Sequence, residues 1–230
     1  MKNKITLFNA NCLEIALQLQ RANIIFDAII TDPPYNISKE NNFHTLKNKR
    51  KGIDFGEWDK EFDTCKWIEF YAPLIGKNGT MIIFCSYLYL SFIIKKLEFF
   101  GFETKDILRW EKANPMPRNI NRRYVQDIEL AIWAVRKKGK WTFNKPIESK
   151  YLKPCFKTPL VSGKEKTSHP TQKSLKLMKQ IIQIHTNKND LICDPFMGSG
   201  TTGLACKILD RQFIGIELDK EYFQIAKNRV

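Results

Sequence analysis

The stretch Ile24-Ile25-Phe26-Asp27-Ala28-Ile29-Ile30-Thr31-Asp32-Pro33-Pro34-Tyr35-Asn36 decides how the chain is read. Residues 24–30 are short, apolar and rich in β-branched side chains, the pattern of a buried strand. The run then delivers a carboxylate, two prolines and an aromatic ring. Prolines cannot continue a central strand, and each pushes the residue before it away from the α region. A stiff, extended tip results, with Asp32 and Tyr35 at the edge of a sheet. Open α/β sheets gather ligands at the carboxyl ends of their strands. Asp-Pro, Pro-Pro and Asn are also ordinary turn formers, so the rest of the chain must decide between a site and a turn.

A second tip follows residues 191–193, a short apolar strand. It reads Asp194-Pro195-Phe196-Met197-Gly198-Ser199-Gly200-Thr201-Thr202. A helix is expected over 201–209 and a strand over 211–216, ending at Glu217. Asp219 is placed to cap a last helix reaching residue 229. Gly198 and Gly200 allow a tight strand-to-helix turn and close approach of backbone to a ligand. Glu217 stands where an α/β nucleotide fold places a carboxylate for ribose hydroxyls. No Lys follows the turn, so it is not a phosphate loop, and the three-glycine dinucleotide fingerprint is absent. Asp194 would oppose phosphate. A nucleoside carrying an amino-acid tail fits better.

Around these tips the pattern is that of one α/β domain, a reasonable count for 230 residues. Strands are expected over 4–8, 80–85 and 107–110, with a closing one over 128–135. Helices are expected over 13–19, 58–74, 87–100 and 174–185. Residues 111–118 form another proline-stiffened tip. Residues 36–56 show no periodicity and read as a mobile basic loop. Residues 137–168 interleave Trp141, Phe143, Tyr151 and Phe156 with lysines. That pattern suits a nucleic-acid surface or a small hairpin packed on the main domain.

Net charge is +14 and unevenly spread. Residues 136–173 hold eleven Lys or Arg and two acids, and residues 39–51 hold five basic residues and one acid. Two basic segments flanking the site loops point to a polyanion, most simply nucleic acid. The contact candidates are Lys47, Lys49, Arg50 and Lys51, then Arg118, Arg122 and Arg123, and then Lys137, Lys138 and Lys140. The six cysteines form no CxxC pair, the three histidines show no ligand spacing, and no metal site is expected. No apolar run is long enough to cross a membrane. No signal-like segment follows Met1, so a cytoplasmic location is expected.

Asp32-Pro33-Pro34-Tyr35 resembles the catalytic motif of the amino-group DNA methyltransferases. The 194–202 segment is similar to their S-adenosylmethionine motif, and His169-Pro170-Thr171-Gln172-Lys173 matches the segment preceding it. Catalytic motif first and cofactor motif last is the circularly permuted, β-class order. The resemblance implies a Rossmann-like methyltransferase fold with a mostly parallel seven-stranded sheet and one antiparallel strand, near 128–135. It implies that the 211–216 strand lies beside the 4–8 strand. It implies S-adenosylmethionine as cofactor, held by Asp194, Phe196, Gly198, Ser199, Gly200 and Thr201, with Glu217 on the ribose, Asn11 on the adenine edge and Lys173 near the carboxylate. Asp32 also borders the cofactor. In the target site, Asp32 and the Pro33 carbonyl would accept the two amine N–H bonds, Pro34 would stiffen the tip, and Tyr35 would stack on a flipped base.

The activity implied is methylation of adenine N6 in a short duplex DNA site. Alternatives are cytosine N4 methylation and a catalytically inactive nucleic-acid-binding module. Target recognition would fall to residues 137–168. A homodimer and a cognate restriction endonuclease are the further partners the resemblance allows.

Overall fold

The structure is a computed structural model and describes residues 4–35, 62–117 and 120–230. The 36–56 loop and the contact candidates Lys47, Lys49, Arg50, Lys51 and Arg118 lie outside the described residues.

Alternation along the strands builds two cores. In β2 (Phe26–Thr31) Ile29 faces one side, while Ala28 and Ile30 face the other; Phe26 packs with Ile29 because the register shifts between Phe26 and Ala28. In β3 (Ile75–Cys85) Met81 and Ile83 oppose Ile82 and Phe84 in the same way, as the two-residue period of a strand requires. The first face is covered by α1 (Cys12–Arg21), α2 (Lys66–Tyr71) and α3 (Leu90–Phe99). The second is covered by α4 (Leu175–His185), α5 (Thr201–Ile208) and α6 (Lys220–Arg229). This is the three-layer solution for a sheet apolar on both faces. Among the described residues no helix is long and apolar enough to cross a membrane.

The remaining strands are β1 (Ile5–Asn9), β4 (Phe102–Lys112), β5 (Ile128–Arg136), β6 (Cys155–Thr158), β7 (Leu191–Asp194) and β8 (Gln212–Glu217). They order as β1-β8-β7-β2-β3-β5-β4-β6. The 211–216 strand does lie beside the N-terminal one, with Asn9 opposite Glu217. The sheet is mostly parallel and Rossmann-like. The expected seven strands are corrected to eight, and the antiparallel strand is β5, which makes two antiparallel pairs, with β3 and with β4. The extra strand is β6, which adds parallel to β4 at the edge. Four residues that include Lys157 are too few to show a period. β6 is the part of the 137–168 segment that joins the main sheet.

Other boundaries moved for local reasons. β3 begins at Ile75 because Phe26 pairs with Ile75 and Ala28 with Thr80, leaving residues 76–79 as a bulge. α2 starts late because the Asp63 carboxylate accepts from the Cys65 and Lys66 amides at 2.9 and 3.0 Å. α3 is preceded by a single 3-10 turn at Tyr87–Tyr89.

Candidate active site

The carboxyl ends of β1, β8, β7, β2 and β3 and the start of β5 meet at one edge, around a cleft of about 2300 Å³. The two sequence motifs meet there. Ala28 and Ile29 of β2 pair with Ile192 and Cys193 of β7. At their ends the Thr31 hydroxyl donates to Asp194 Oδ1 at 2.7 Å. The residue that follows Thr31 is Asp32.

Asp194 is buried and holds the glycine turn together. Its Oδ1 also accepts from the Phe196 amide at 3.1 Å, and its Oδ2 from the Thr202 hydroxyl at 2.7 Å. Burial pushes its carboxyl up to about 6, against the pull of these three donors. Glu217 works similarly: Oε2 accepts from the Gly198 amide at 2.9 Å and Oε1 from the Asp219 amide at 2.8 Å. Burial raises it as well. Gly198 has φ +50°, and a Cβ there would lie 2.8 Å from His169 Nε2. His169 packs on Tyr222 with ring centroids 4.4 Å apart, and burial pushes it down to about 4. Phe196 meets Phe62 and Trp67 edge-on at 5.3 and 5.4 Å.

Asn11, Asp194, Phe196, Gly198, Ser199, Thr201 and Glu217 all line the cleft. Gly200 does not. It sits at φ +78° against α6, where a Cβ would be 2.9 Å from that of Ala226. The Asn11 side chain is already committed to capping α1, through the Leu13 amide at 2.9 Å. Its amide nitrogen and second lone pair remain for a ligand. Carboxylates, an amide and aromatic rings suit an ammonium, ribose hydroxyls and a purine, so the residues present fit an S-adenosylmethionine-like group.

Asp32 is engaged on both oxygens. The Tyr35 hydroxyl donates to Oδ1 at 2.5 Å, and the Lys173 ammonium donates to Oδ2. Lys173 is buried and also lies 3.1 Å from Glu129 Oε2. Lys112 holds Glu129 Oε1 at 2.8 Å. Burial raises the Asp32 carboxyl despite Lys173, and raises the Tyr35 phenol well above its usual value. Burial also pushes Glu129 up, but Lys173 and Lys112 outweigh it and hold that carboxyl below the usual range. Lys173 ends raised, because Asp32 and Glu129 outweigh its burial. Lys173, expected at a cofactor carboxylate, lies between two protein carboxylates and lines the cleft.

Residues 26–228 match the N6_N4_Mtase family model, described as DNA methylase. The chain belongs to this DNA methylase family. It is 36% identical to the Type II methyltransferase M2.MboI of Moraxella bovis, over 97% of this chain and 86% of that one. The crystal structure of the M1.HpyAVI-SAM complex is 54% identical, with a TM-score of 0.81, covering 98% of this chain and 100% of that one. PvuII DNA methyltransferase (cytosine-N4-specific) shares the fold at a TM-score of 0.74 and 16% identity, over 100% of this chain and 87% of that one.

The methylase's basic candidates divide. Arg122 and Arg123 are exposed on the segment leading into β5, and Arg123 lines the cleft. Lys137, Lys138 and Lys140 follow the other end of β5, where the Lys140 amide reaches Asn78 and the Lys137 amide reaches Gly101. They are not brought to the cleft, because β5 runs against β3 and carries them to the opposite edge. Three aromatics of that segment are packed: Phe156 is buried in the second core, Phe143 stacks on Trp133 at 5.4 Å, and Trp141 carries Lys105 at 4.2 Å.

Sequence reasoning missed Glu129, Lys112 and Arg229. Arg229 Nη1 donates to the Ser199 carbonyl at 2.6 Å and its hydroxyl at 2.9 Å, bracing the glycine turn from α6. The one signal for Glu129 was a charged residue inside an apolar strand, which is rarely buried without a partner.

Proposed function

We propose that the chain methylates adenine N6 in a short duplex DNA site, as a β-class, circularly permuted member of its family. It is a sequence-specific DNA methyltransferase that uses S-adenosylmethionine. The observation that joins catalytic tip and cofactor turn is the Thr31–Asp194 hydrogen bond across adjacent strands, and the choice of adenine rests on the Asp32-Pro33-Pro34-Tyr35 motif, which in the family it resembles usually accompanies adenine. The pairing of β1 with β8 supports the permuted order, since the N-terminal strand completes the sheet beside the C-terminal one.

The bound cofactor supplies an electrophilic methyl group on a sulfonium. The chain's residues must present an amine to it. A base inside a duplex cannot reach this cleft, so the target is flipped out. An exocyclic amine is a weak nucleophile because its lone pair is delocalised into the ring. Asp32 and the Pro33 carbonyl accept its two N–H bonds and draw the nitrogen toward tetrahedral geometry. Both acceptors also favour the positive charge that develops on nitrogen. Tyr35 provides a face for the base. Asp32 need not be a strong base, because the methylated nitrogen is acidic and sheds its proton afterwards. Asp194, Phe196, Gly198, Ser199, Thr201, Glu217 and Asn11 are the residues we assign to the cofactor.

The chain is read as one methyltransferase domain. Target recognition is assigned to the return of the 137–168 segment, whose Leu160, Ser162 and Lys166 line the cleft with Arg123. A homodimer and a partner endonuclease belong to the same proposal. The test is transfer of a labelled methyl group to DNA, followed by digestion and mass spectrometry. N6-methyladenine is expected. N4-methylcytosine alone would overturn the base assignment, and an unlabelled digest would leave a binding module.

A further inference from the structure

The buried network around Asp32 contains one carboxylate more than acceptance of an amine requires. Glu129 shares the Lys173 ammonium with Asp32. We propose that Glu129 is a positioning residue: it takes over Lys173 when the target amine arrives, and so frees Asp32 Oδ2 to accept the amine N–H. This rests on the reading of Asp32 as the amine's acceptor.

Four features carry it. Lys173 is 8% exposed, so water cannot hold its charge once Asp32 turns to a substrate. An ammonium left there alone would be strongly unfavourable. Glu129 Oε2 stands 3.1 Å from Nζ, so the exchange needs only a small swing of the ammonium. Glu129 is itself anchored, because Lys112 holds its other oxygen at 2.8 Å and leaves Oε2 facing Lys173. Two rings neighbour the ammonium, with the centroids of Phe84 and Tyr35 at 5.1 and 5.8 Å from Nζ, and aromatic faces attract a cation. Lys112 and Lys173 balance Glu129 and Asp32, so the exchange brings no net charge into the cavity and moves no proton. Tyr35 keeps Oδ1 throughout.

The test is Glu129→Gln with saturating cofactor and DNA. We expect kcat to fall about ten- to a hundredfold, the scale of a slightly misplaced reacting group, with cofactor affinity within about twofold of the wild type. Asp32 is faced by Tyr35, Lys173, Glu129, Cys85 and Asp194. Removing only the Glu129 charge makes Asp32 more acidic, so the acid limb of the kcat profile should move to lower pH. A generally weakened fold would not move that limb. Glu129→Gln should also add nothing in a Lys173→Met background. A normal kcat with an unmoved limb, or a full further loss in that background, overturns the proposal. If the variant does not fold, a crystal structure of the wild type with cofactor and DNA decides: Lys173 should have moved from Asp32 to Glu129, and its remaining on Asp32 Oδ2 overturns the idea. An inactive Asp32→Ala enzyme beside a normal Glu129→Gln enzyme sinks this inference alone. An active Asp32→Ala enzyme sinks the reading beneath it.

Discussion

Two neighbouring parallel strands, β2 and β7, lead into the same dipeptide, Asp-Pro, and the two carboxylates have opposite surroundings. Asp194 accepts from two hydroxyls and an amide, all neutral: Phe196 and Thr202 belong to the turn it organises, and Thr31 ends the neighbouring strand β2. Asp32 accepts from a phenol and from an ammonium shared with a second carboxylate. Neutral donors built into the backbone and its adjacent side chains make Asp194 a fixed pin. A shared cation makes Asp32 a carboxylate whose partner can be exchanged. Asp194 closes β7 and is buried, while Asp32 follows the last residue of β2 and is partly open to the cleft, so exposure and donors together separate structure from chemistry. The sharpest break of this comparison is a pair of alanine variants. Asp32→Ala should lower turnover at least about a hundredfold, the scale of losing a preorganised polar contact in a transition state, and leave calorimetric binding of S-adenosylmethionine nearly intact. Asp194→Ala should abolish that binding. The reverse pattern would exchange the two roles.

Acid titration sharpens the same contrast. The folded-state value of Asp194, about 6, lies above its ordinary 3.8. Between those values the native state keeps a proton that the unfolded chain releases. The stabilisation is therefore full below about 3.8 and lost as pH rises through about 6. Comparison with Asp194→Asn isolates this contribution. The stability difference, wild type minus variant, should fall by about 2–3 kcal/mol between about pH 4 and 7, because each pH unit separating the two values is worth about 1.36 kcal/mol. Urea unfolding at intervals across this range measures it. A difference independent of pH would mean that Asp194 is ionised on its three donors at all these values.

The two tips were legible because an apolar run followed by Asp-Pro leaves the chain few choices. The glycine turn was legible because its strand, helix and following acid come in sequence order. What was not legible depends on direction and on distant partners. Counting lysines near residue 137 gave them to the DNA, but β5 points away from the cleft and takes them along. Lys173 was assigned to a cofactor carboxylate by its place in a motif. Its partner Glu129 is 44 residues earlier and on a different element, so no local pattern joins them. β6 was hidden because pairing with β4, rather than its own period, makes it a strand.

The smallest expected effect compares the two ends of β5. Arg123 opens onto the cleft, while Lys137, Lys138 and Lys140 follow the last residue of the strand. A nine-residue strand spans about 30 Å, and the Debye length is about 10 Å at 0.1 M salt. Charges at the far edge are therefore screened from a duplex seated at the cleft. Each phosphate contact contributes close to one unit to the slope of log affinity against log salt concentration. Arg123→Ala should reduce that slope by about 1. Replacing Lys137, Lys138 and Lys140 together with alanine should leave it unchanged, although it removes three charges. Fluorescence anisotropy with a labelled duplex over a salt series distinguishes the two. If the triple variant loses the larger slope, the duplex reaches round the sheet to its opposite edge, and the orientation of β5 no longer sorts these basic residues.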